Sequence, residues 1–196
     1  SFTRQLLNVQ GPAFGKFYGF RKNPFEPQPD PGFFFATENC REAWNSLIYG
    51  VTGRKGFLLL TGEGGVGKTT LLALVFLYFT TRGQKIIPLF DSPGKVEDIL
   101  QAVLRNLGLP ENEGSKGAAL YRINQELIRR SSQGQTTVLI FDEGQNLKDD
   151  LLEEIRLLAN SSPKTPKALQ VILVGDPQFE RKLNTGGLWG LNQRIE

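Results

Sequence analysis

The strongest structural signal in the sequence is the segment Gly62-Glu63-Gly64-Gly65-Val66-Gly67-Lys68-Thr69. An apolar run at residues 58–60 precedes it, and a long apolar segment follows Lys68. Glycines let a backbone curve around an anion so that successive N–H groups point at it, and a helix N-terminus adds a favourable dipole. A G-x-x-x-x-G-K-[ST] pattern between a strand and a helix therefore predicts a loop that binds nucleotide phosphates. The alternative, a glycine-rich turn with an exposed lysine, is disfavoured by the flanking strand and helix.

Individual roles within this loop follow from the chemistry of its side chains. Lys68 is expected to reach the β- and γ-phosphates, and the Thr69 hydroxyl is expected to ligate Mg²⁺. We therefore predict that the chain binds ATP or ADP together with Mg²⁺. The predicted nucleotide-binding residues are Gly62, Glu63, Gly64, Gly65, Val66, Gly67, Lys68, Thr69 and Thr70.

A second segment ends in two adjacent carboxylates. Residues 136–141 form an apolar run, and Asp142 and Glu143 follow it directly. Asp142 is predicted to complete the Mg²⁺ site, and Glu143 to act as the base that polarises an attacking water. Lys68 and Glu143 are thus predicted to be catalytic. A solvated acidic turn is the alternative, and the adjacent pair favours hydrolysis over transfer by a small-molecule kinase.

The rest of the sequence alternates short apolar runs with amphipathic segments. Strands are predicted at residues 57–61, 85–90, 136–141 and 169–174, where apolar residues are largely continuous, as in strands buried on both faces of a parallel sheet. Helices are predicted between them, after a first helix at residues 38–51. The pattern predicts an α/β fold with three layers, a P-loop NTPase with a mainly parallel sheet. Residues 1–35 are rich in Phe and Pro and are interpreted as an N-terminal arm packed on the core formed by residues 36–196.

Composition excludes several kinds of chemistry. The chain of 196 residues has no histidine and one cysteine, which rules out Ser-His-Asp and Cys-His nucleophiles and zinc sites built from His or several Cys. Cys40 is expected to be a small buried hydrophobic residue. The net charge of +3 includes no dense basic cluster, so nucleic-acid binding is not supported, although it is not excluded. The longest apolar run, residues 71–79, is far shorter than the ~20 residues that span a bilayer, so we expect a soluble chain.

The motifs together resemble one family, the general secretion pathway protein A family of AAA+ ATPases. The resemblance covers about residues 17–195, and its segments include residues 17–20 (Phe-Tyr-Gly-Phe), 23–25 (Asn-Pro-Phe), 54–57 (Arg-Lys-Gly-Phe), 142–147 (Asp-Glu-Gly-Gln-Asn-Leu) and 154–160. The family usually has Ala where Gly144 stands. The resemblance implies that residues 36–196 are a P-loop AAA+ ATPase core. It places the last core strand and the helical lid after Glu196, so we interpret the chain as a fragment that is weakly active by itself.

The same resemblance implies a biological setting. It suggests a cytoplasmic ATPase at the inner face of the bacterial inner membrane, which acts as a motor or switch in type II secretion or envelope assembly. The full-length protein is expected to form a homo-oligomer and to associate with a membrane-bound secretion or envelope component. The module also resembles ATPases of transposition and origin recognition. A DNA-bound ATPase and a regulatory nucleotide-binding protein with little turnover therefore stay open as alternatives.

Two further positions have candidate roles in such a module. Arg194 matches a terminal arginine of the family and is predicted to be an arginine finger that contacts the nucleotide of a neighbouring subunit, with Arg181 as the second choice. An ordinary surface arginine is the alternative. Asp176 stands where the family commonly has Gln in the role of a γ-phosphate sensor. An N-cap for a helix that begins at Pro177 is an equally good interpretation of Asp176.

Overall fold

The computed structural model describes residues 37–89, 94–110, 115–159, 168–184 and 188–195, without the side chain of Trp189. The N-terminal arm predicted for residues 1–35 lies outside the described residues, as does Phe90 at the end of one predicted strand. The elements, in chain order, are α1 (Glu38–Thr52), β1 (Phe57–Thr61), α2 (Lys68–Thr80), β2 (Lys85–Leu89), α3 (Val96–Leu107), α4 (Lys116–Ser132), β3 (Thr137–Phe141), a 3₁₀ turn (Gly144–Asn146), α5 (Asp149–Ala159), β4 (Leu169–Gly175), α6 (Pro177–Asn184) and α7 (Trp189–Asn192).

The four strands form one parallel sheet in the order β1-β4-β3-β2. Strands β3 and β4 lie in the middle, and every residue in both is buried. Ile195 forms an isolated parallel bridge with Phe57 at the other edge of β1. The sheet confirms the predicted α/β fold, and each observed strand agrees with its predicted range to within one residue.

Helices cover both faces of the sheet, because successive residues of a strand point to opposite sides. On one face, Leu139 and Phe141 of β3 pack in a cluster that includes residues of α3, α4, α5 and α6. On the other face, Val138 and Ile140 pack with residues of α1 and α2. Helix α2 is apolar nearly all round because it lies between the sheet and α1. It ends at Thr80, shortly before the chain turns through Gly83 at φ 74°.

No helix within the described part of the chain combines the length and the apolar character that crossing a membrane requires.

Candidate functional site

The predicted phosphate loop connects β1 to α2 at the carboxyl end of the sheet. Gly65 has φ 79° and Gly67 has φ 91°, values in the left-handed region that glycine adopts without strain. Gly67 is the N-cap of α2 and provides no side-chain acceptor for the first turn. The N–H groups of that turn can therefore be offered to an anion.

Lys68 lies against the backbone of the loop. Its Nζ donates hydrogen bonds to the carbonyl oxygens of Gly62 at 2.7 Å and Glu63 at 2.9 Å. The side chain is half-buried, as expected for a long apolar stem with a charged end. The loop thus holds one ammonium group beside the helix N-terminus, and both features favour a polyanion.

Thr69 and Asp142 meet across the gap between α2 and β3. The Thr69 hydroxyl lies 3.5 Å from Oδ2 of Asp142, and Oδ1 of the same carboxylate accepts the backbone N–H of Glu143 at 2.9 Å. Asp142 is 8% exposed. Burial raises the pKa of Asp142 above its ordinary value, although the Glu143 N–H and the nearby Lys68 charge act in the opposite direction.

This pair of oxygen ligands fits Mg²⁺. The ion usually takes one or two protein side chains and completes its shell with substrate phosphates and water. Within the described ranges, no group of three or more His, Cys, Asp or Glu side chains could hold a metal by itself. Thr69 and Asp142 would therefore hold Mg²⁺ together with a bound nucleotide rather than in a closed protein cage.

Glu143 has a backbone conformation that is unusual for a residue with a side chain. Its φ of 54° and ψ of 43° are left-handed, and the residue begins the 3₁₀ turn after β3. Such conformations cost on the order of 1–3 kcal/mol and cluster at functional sites. The side chain is exposed, and its Oε2 accepts a hydrogen bond of 2.6 Å from Nε2 of Gln145. The strand end therefore presents an accessible carboxylate next to a buried one.

A cavity of about 510 Å³ adjoins the loop on the side of α1. Its lining includes Cys40 and Ala43 of α1, Leu60 of β1, Val66 of the loop and Leu71 of α2. The prediction that Cys40 is buried is wrong: the side chain is half-buried because it faces this open cavity. The cavity gives the polar loop an apolar neighbour.

The structure places Asp176 at the N-terminus of α6, where its carboxylate accepts hydrogen bonds from the backbone. Oδ1 accepts the N–H groups of Gln178 at 2.8 Å and Phe179 at 3.0 Å, which is the N-cap geometry. Its role as a phosphate sensor stays a prediction. Arg181 is exposed on α6, and its Nε lies 3.5 Å from the carbonyl of Pro177.

Arg194 lies away from the phosphate loop of its own chain. The next residue, Ile195, pairs with Phe57 at the start of β1, whereas the loop follows Thr61 at the end of that strand. At ~3.3 Å per residue, about 13 Å of strand separates the two ends. The Arg194 side chain is exposed, and its role as an arginine finger stays a prediction.

Sequence reasoning missed two side chains that build this site. Gln145 contacts Glu143, and Phe179 packs so closely that a Cβ at Gly144 or Gly175 would meet its ring within 3 Å. The sequence signal for Gln145 was its position two residues after Glu143, which by itself does not reveal the contact. Phe179 carried no signal beyond its apolar character.

The sheet order, the loop and the acidic strand end together define a P-loop nucleotide-binding fold of the AAA+ type. A family model described as "AAA domain" matches residues 51–183, and the chain belongs to this family.

The sequences of related proteins agree with that assignment. The chain is 33% identical to general secretion pathway protein A of Aeromonas hydrophila over 93% of this chain and 33% of that protein. It is 26% identical to the ATP-dependent target DNA activator B of Escherichia phage Mu over 81% of this chain and 46% of that protein. The chain thus spans about a third to a half of the length of these relatives.

The fold is also found among solved structures. The ORC2 protein of Aeropyrum pernix, solved in complexes with ADPNP and ADP, superimposes with a TM-score of 0.61. The match has 16% sequence identity and covers 81% of this chain and 45% of that chain. At this identity the likeness concerns the fold alone. The predicted family resemblance is confirmed by the sequence relatives and the predicted fold by the structure.

Proposed function

We propose that this chain binds ATP or ADP with Mg²⁺ and hydrolyses ATP. The observation that carries the proposal is the 3.5 Å approach of the Thr69 hydroxyl to the Asp142 carboxylate, beside a glycine loop that holds Lys68. These groups come from two separate segments of the chain, and the fold brings them together at one edge of the sheet. Mg²⁺ at this pair would neutralise charge on the phosphates.

The remaining residues have matching roles in this proposal. The loop N–H groups and Lys68 bind the β- and γ-phosphates, with Gly62 to Thr70 forming the binding segment. Glu143 polarises the water that attacks the γ-phosphorus, so that the products are ADP and inorganic phosphate. The cavity beside Cys40 and Leu71 receives the apolar face of the adenine ring of the nucleotide.

Nucleotide binding is tested by removing the Lys68 charge. We expect Lys68→Ala to abolish ATP binding measured by calorimetry while far-UV circular dichroism is retained. Lys116→Ala is the matched control, because it also removes one positive charge but pairs with Glu154 of α5 rather than with the loop. Unchanged ATP affinity in Lys68→Ala would overturn the assignment of the loop.

Hydrolysis is tested separately with Glu143→Gln. This variant keeps the shape of the side chain and removes the base, so Mg²⁺-ATP should bind while turnover falls by about 10²–10⁴-fold. Phosphate release under single-turnover conditions measures the change. Full turnover by the variant of the full-length protein would show that another group polarises the water, and binding without turnover in the wild-type full-length protein would favour a regulatory nucleotide-binding protein.

Arg194 is proposed to act on the nucleotide of a neighbouring subunit in a homo-oligomer of the full-length protein. Subunits with Arg194→Ala and subunits with Glu143→Gln should each be inactive. Mixed assemblies should recover partial activity, because some interfaces join an intact base to an intact arginine. Absence of rescue in mixed assemblies confirmed by light scattering would return Arg194 to an ordinary surface role, and Arg181 would be tested next.

The biological setting proposed here is type II secretion or envelope assembly, with the module in the cytoplasm at the inner face of the inner membrane. The similarity to general secretion pathway protein A supports it, since the aligned region covers 93% of this chain.

The second candidate is a DNA-bound ATPase, which the similarity to the phage Mu activator supports. Binding to duplex DNA that requires ATP, weakens steeply with salt and is lost in Lys68→Ala would favour this candidate. DNA binding that is absent with and without ATP would favour the secretion role.

A further inference from the structure

Gln145 connects the exposed carboxylate of Glu143 to the end of the neighbouring strand. Its Nε2 donates to Oε2 of Glu143 at 2.6 Å, and its Oε1 accepts the backbone N–H of Asp176 at 3.3 Å. Asp176 is the first residue after β4, so one amide side chain joins the ends of β3 and β4.

The chemistry of the partners fixes the orientation of this amide group. A backbone N–H can only donate, so the group that faces Asp176 must be the carbonyl oxygen of Gln145. The NH₂ group then necessarily faces Glu143, whose ionised carboxylate can only accept. A flipped amide would place two acceptors against each other at Glu143 and two donors at Asp176. The two hydrogen bonds therefore support one orientation.

The backbone beneath Gln145 is held by other contacts. Lys182 donates through Nζ to the carbonyl of Leu147, lies 3.5 Å from the carbonyl of Gln145 and pairs with Asp149 at 3.2 Å. The buried Phe179 ring, from the same helix, packs against Gly144. The 3₁₀ turn is thus fixed without the Gln145 side chain, which leaves the amide group free to serve Glu143.

We infer that Gln145 is a positioning residue for hydrolysis: it anchors the Glu143 carboxylate to the backbone at the end of β4 so that the other carboxylate oxygen faces the attacking water. The inference rests on the proposed function, because positioning has meaning only if Glu143 polarises that water. Charge-assisted hydrogen bonds of this kind are short and directional, which suits them to fixing a catalytic side chain.

Two variants of Gln145 separate positioning from a structural role. Gln145→Met keeps the size and removes both hydrogen bonds. Gln145→Glu keeps the acceptor for the Asp176 N–H but places a second negative charge against Glu143. We expect kcat to fall about 10-fold in Gln145→Met and further in Gln145→Glu, with KM changed less than two-fold in both. A purely structural role predicts the reverse order, because Gln145→Glu retains one of the two hydrogen bonds.

A second measurement does not depend on turnover. In the nucleotide-free chain, the backbone amide resonance of Asp176 should shift in Gln145→Met, and the side-chain NH₂ resonances of Gln145 should shift in Glu143→Gln. Asn146→Ser, a change at the exposed next residue, is the control and should leave the Asp176 amide resonance in place. Urea unfolding of each variant establishes that the fold is retained.

The possible failures can be told apart. Full hydrolysis by Glu143→Gln would overturn the proposed function, and the role of Gln145 with it. If Glu143→Gln loses hydrolysis but Gln145→Met keeps the wild-type kcat, only the role of Gln145 is overturned. The same holds if kcat falls less in Gln145→Glu than in Gln145→Met. An Asp176 amide resonance that does not shift in Gln145→Met would likewise overturn the connection between the two strand ends.

Discussion

Strands β3 and β4 lie side by side, are buried along their whole lengths and are each followed by an aspartate, yet the two carboxylates have different surroundings. Asp142, after β3, lies 3.5 Å from the Thr69 hydroxyl at the phosphate loop. Asp176, after β4, accepts two backbone N–H groups of α6. An aspartate at the carboxyl end of the sheet therefore faces a candidate metal site after β3 and a helix after β4.

The residue that follows each aspartate accounts for the difference. Pro177 begins α6 immediately after Asp176, so the N–H groups of Gln178 and Phe179 turn back toward the carboxylate. Glu143 follows Asp142 in a left-handed conformation and starts a 3₁₀ turn instead of an α-helix. Within the described residues, one backbone N–H reaches Asp142, that of Glu143 itself, and the second carboxylate oxygen lies near the Thr69 hydroxyl. A local difference in backbone conformation thus distinguishes the candidate metal ligand from the helix cap.

The largest effect expected from this comparison is on hydrolysis. Asp142→Asn removes the charge that would hold Mg²⁺, so we expect turnover of ATP to fall by at least about 100-fold. Asp176→Asn removes the same charge one strand away, but Asn caps a helix as well as Asp does, and turnover should stay within about two-fold. Phosphate release measured over a range of Mg²⁺ concentrations gives both values. A large loss of turnover in a stably folded Asp176→Asn would favour the sensor role for that residue.

Much of this edge of the sheet could be predicted from sequence, because its signals are local. The glycine pattern before Lys68 and the apolar run before Asp142 each specify an element and its end. For Asp176, the sequence favoured a helix N-cap before Pro177 and a γ-phosphate sensor equally. The positions of these residues in the structure agree with the predicted loop and strand end, and their roles stay predictions.

Other features could not be predicted, because they depend on how distant segments pack. The order of the strands is set by pairing between residues that are far apart in the sequence, such as Phe57 with Val171 and Lys85 with Thr137. The Asp176 N–H donates to Gln145 across two strand ends, and the turn between Glu143 and Gln145 begins with a left-handed backbone that residues other than glycine rarely adopt. The exposure of Cys40 depends on a cavity formed by three separate segments.

The next-largest effect is on stability. The Phe179 ring packs against Gly144 after β3 and against Gly175 at the end of β4. A Cβ added at Gly144 would lie 2.4 Å from Cε1 of Phe179, and the buried ring has little room to move. We expect Gly144→Ala to lower the free energy of unfolding by about 1–3 kcal/mol. The comparison predicts a coupled pair, so the loss should shrink in a Phe179→Ala background.

Gly117→Ala is the matched control for that measurement. Gly117 lies in α4, where an added Cβ would meet its nearest neighbour, Oγ of Ser115, at an ordinary 3.8 Å. Alanine favours a helix interior by about 1 kcal/mol over glycine, and less in the first turn where Gly117 lies, so this variant should be slightly more stable than the wild type. Urea unfolding curves provide both numbers. Equal effects of the two substitutions would mean that the Phe179 ring does not constrain the turn after β3.

A smaller effect is expected from the cap itself. Asp176→Ala removes the acceptor for the N–H groups of Gln178 and Phe179, and loss of an N-cap side chain typically costs about 1 kcal/mol. Asp176→Asn should lie within a few tenths of a kcal/mol of the wild type, because its carbonyl oxygen can accept the same bonds. Equal stability of all three proteins by urea unfolding would contradict the assignment of Asp176 as a cap.

The smallest effect concerns Asp142 in the absence of nucleotide, and its sign is opposite to that of the cap. Burial raises the pKa of Asp142 in the folded chain, so the folded state holds a proton that the unfolded state has already released. The contribution of Asp142 to stability therefore falls as pH rises from the ordinary pKa of about 4 through the raised value in the folded state. Above the raised pKa the ionised carboxylate opposes folding, and Asp142→Asn should raise the free energy of unfolding there. That gain should disappear below about pH 4, where both states of the wild-type chain are protonated. Urea unfolding at a series of pH values measures the trend, and a variant that is less stable than the wild type at neutral pH would show that Asp142 stabilises the fold rather than serving a site.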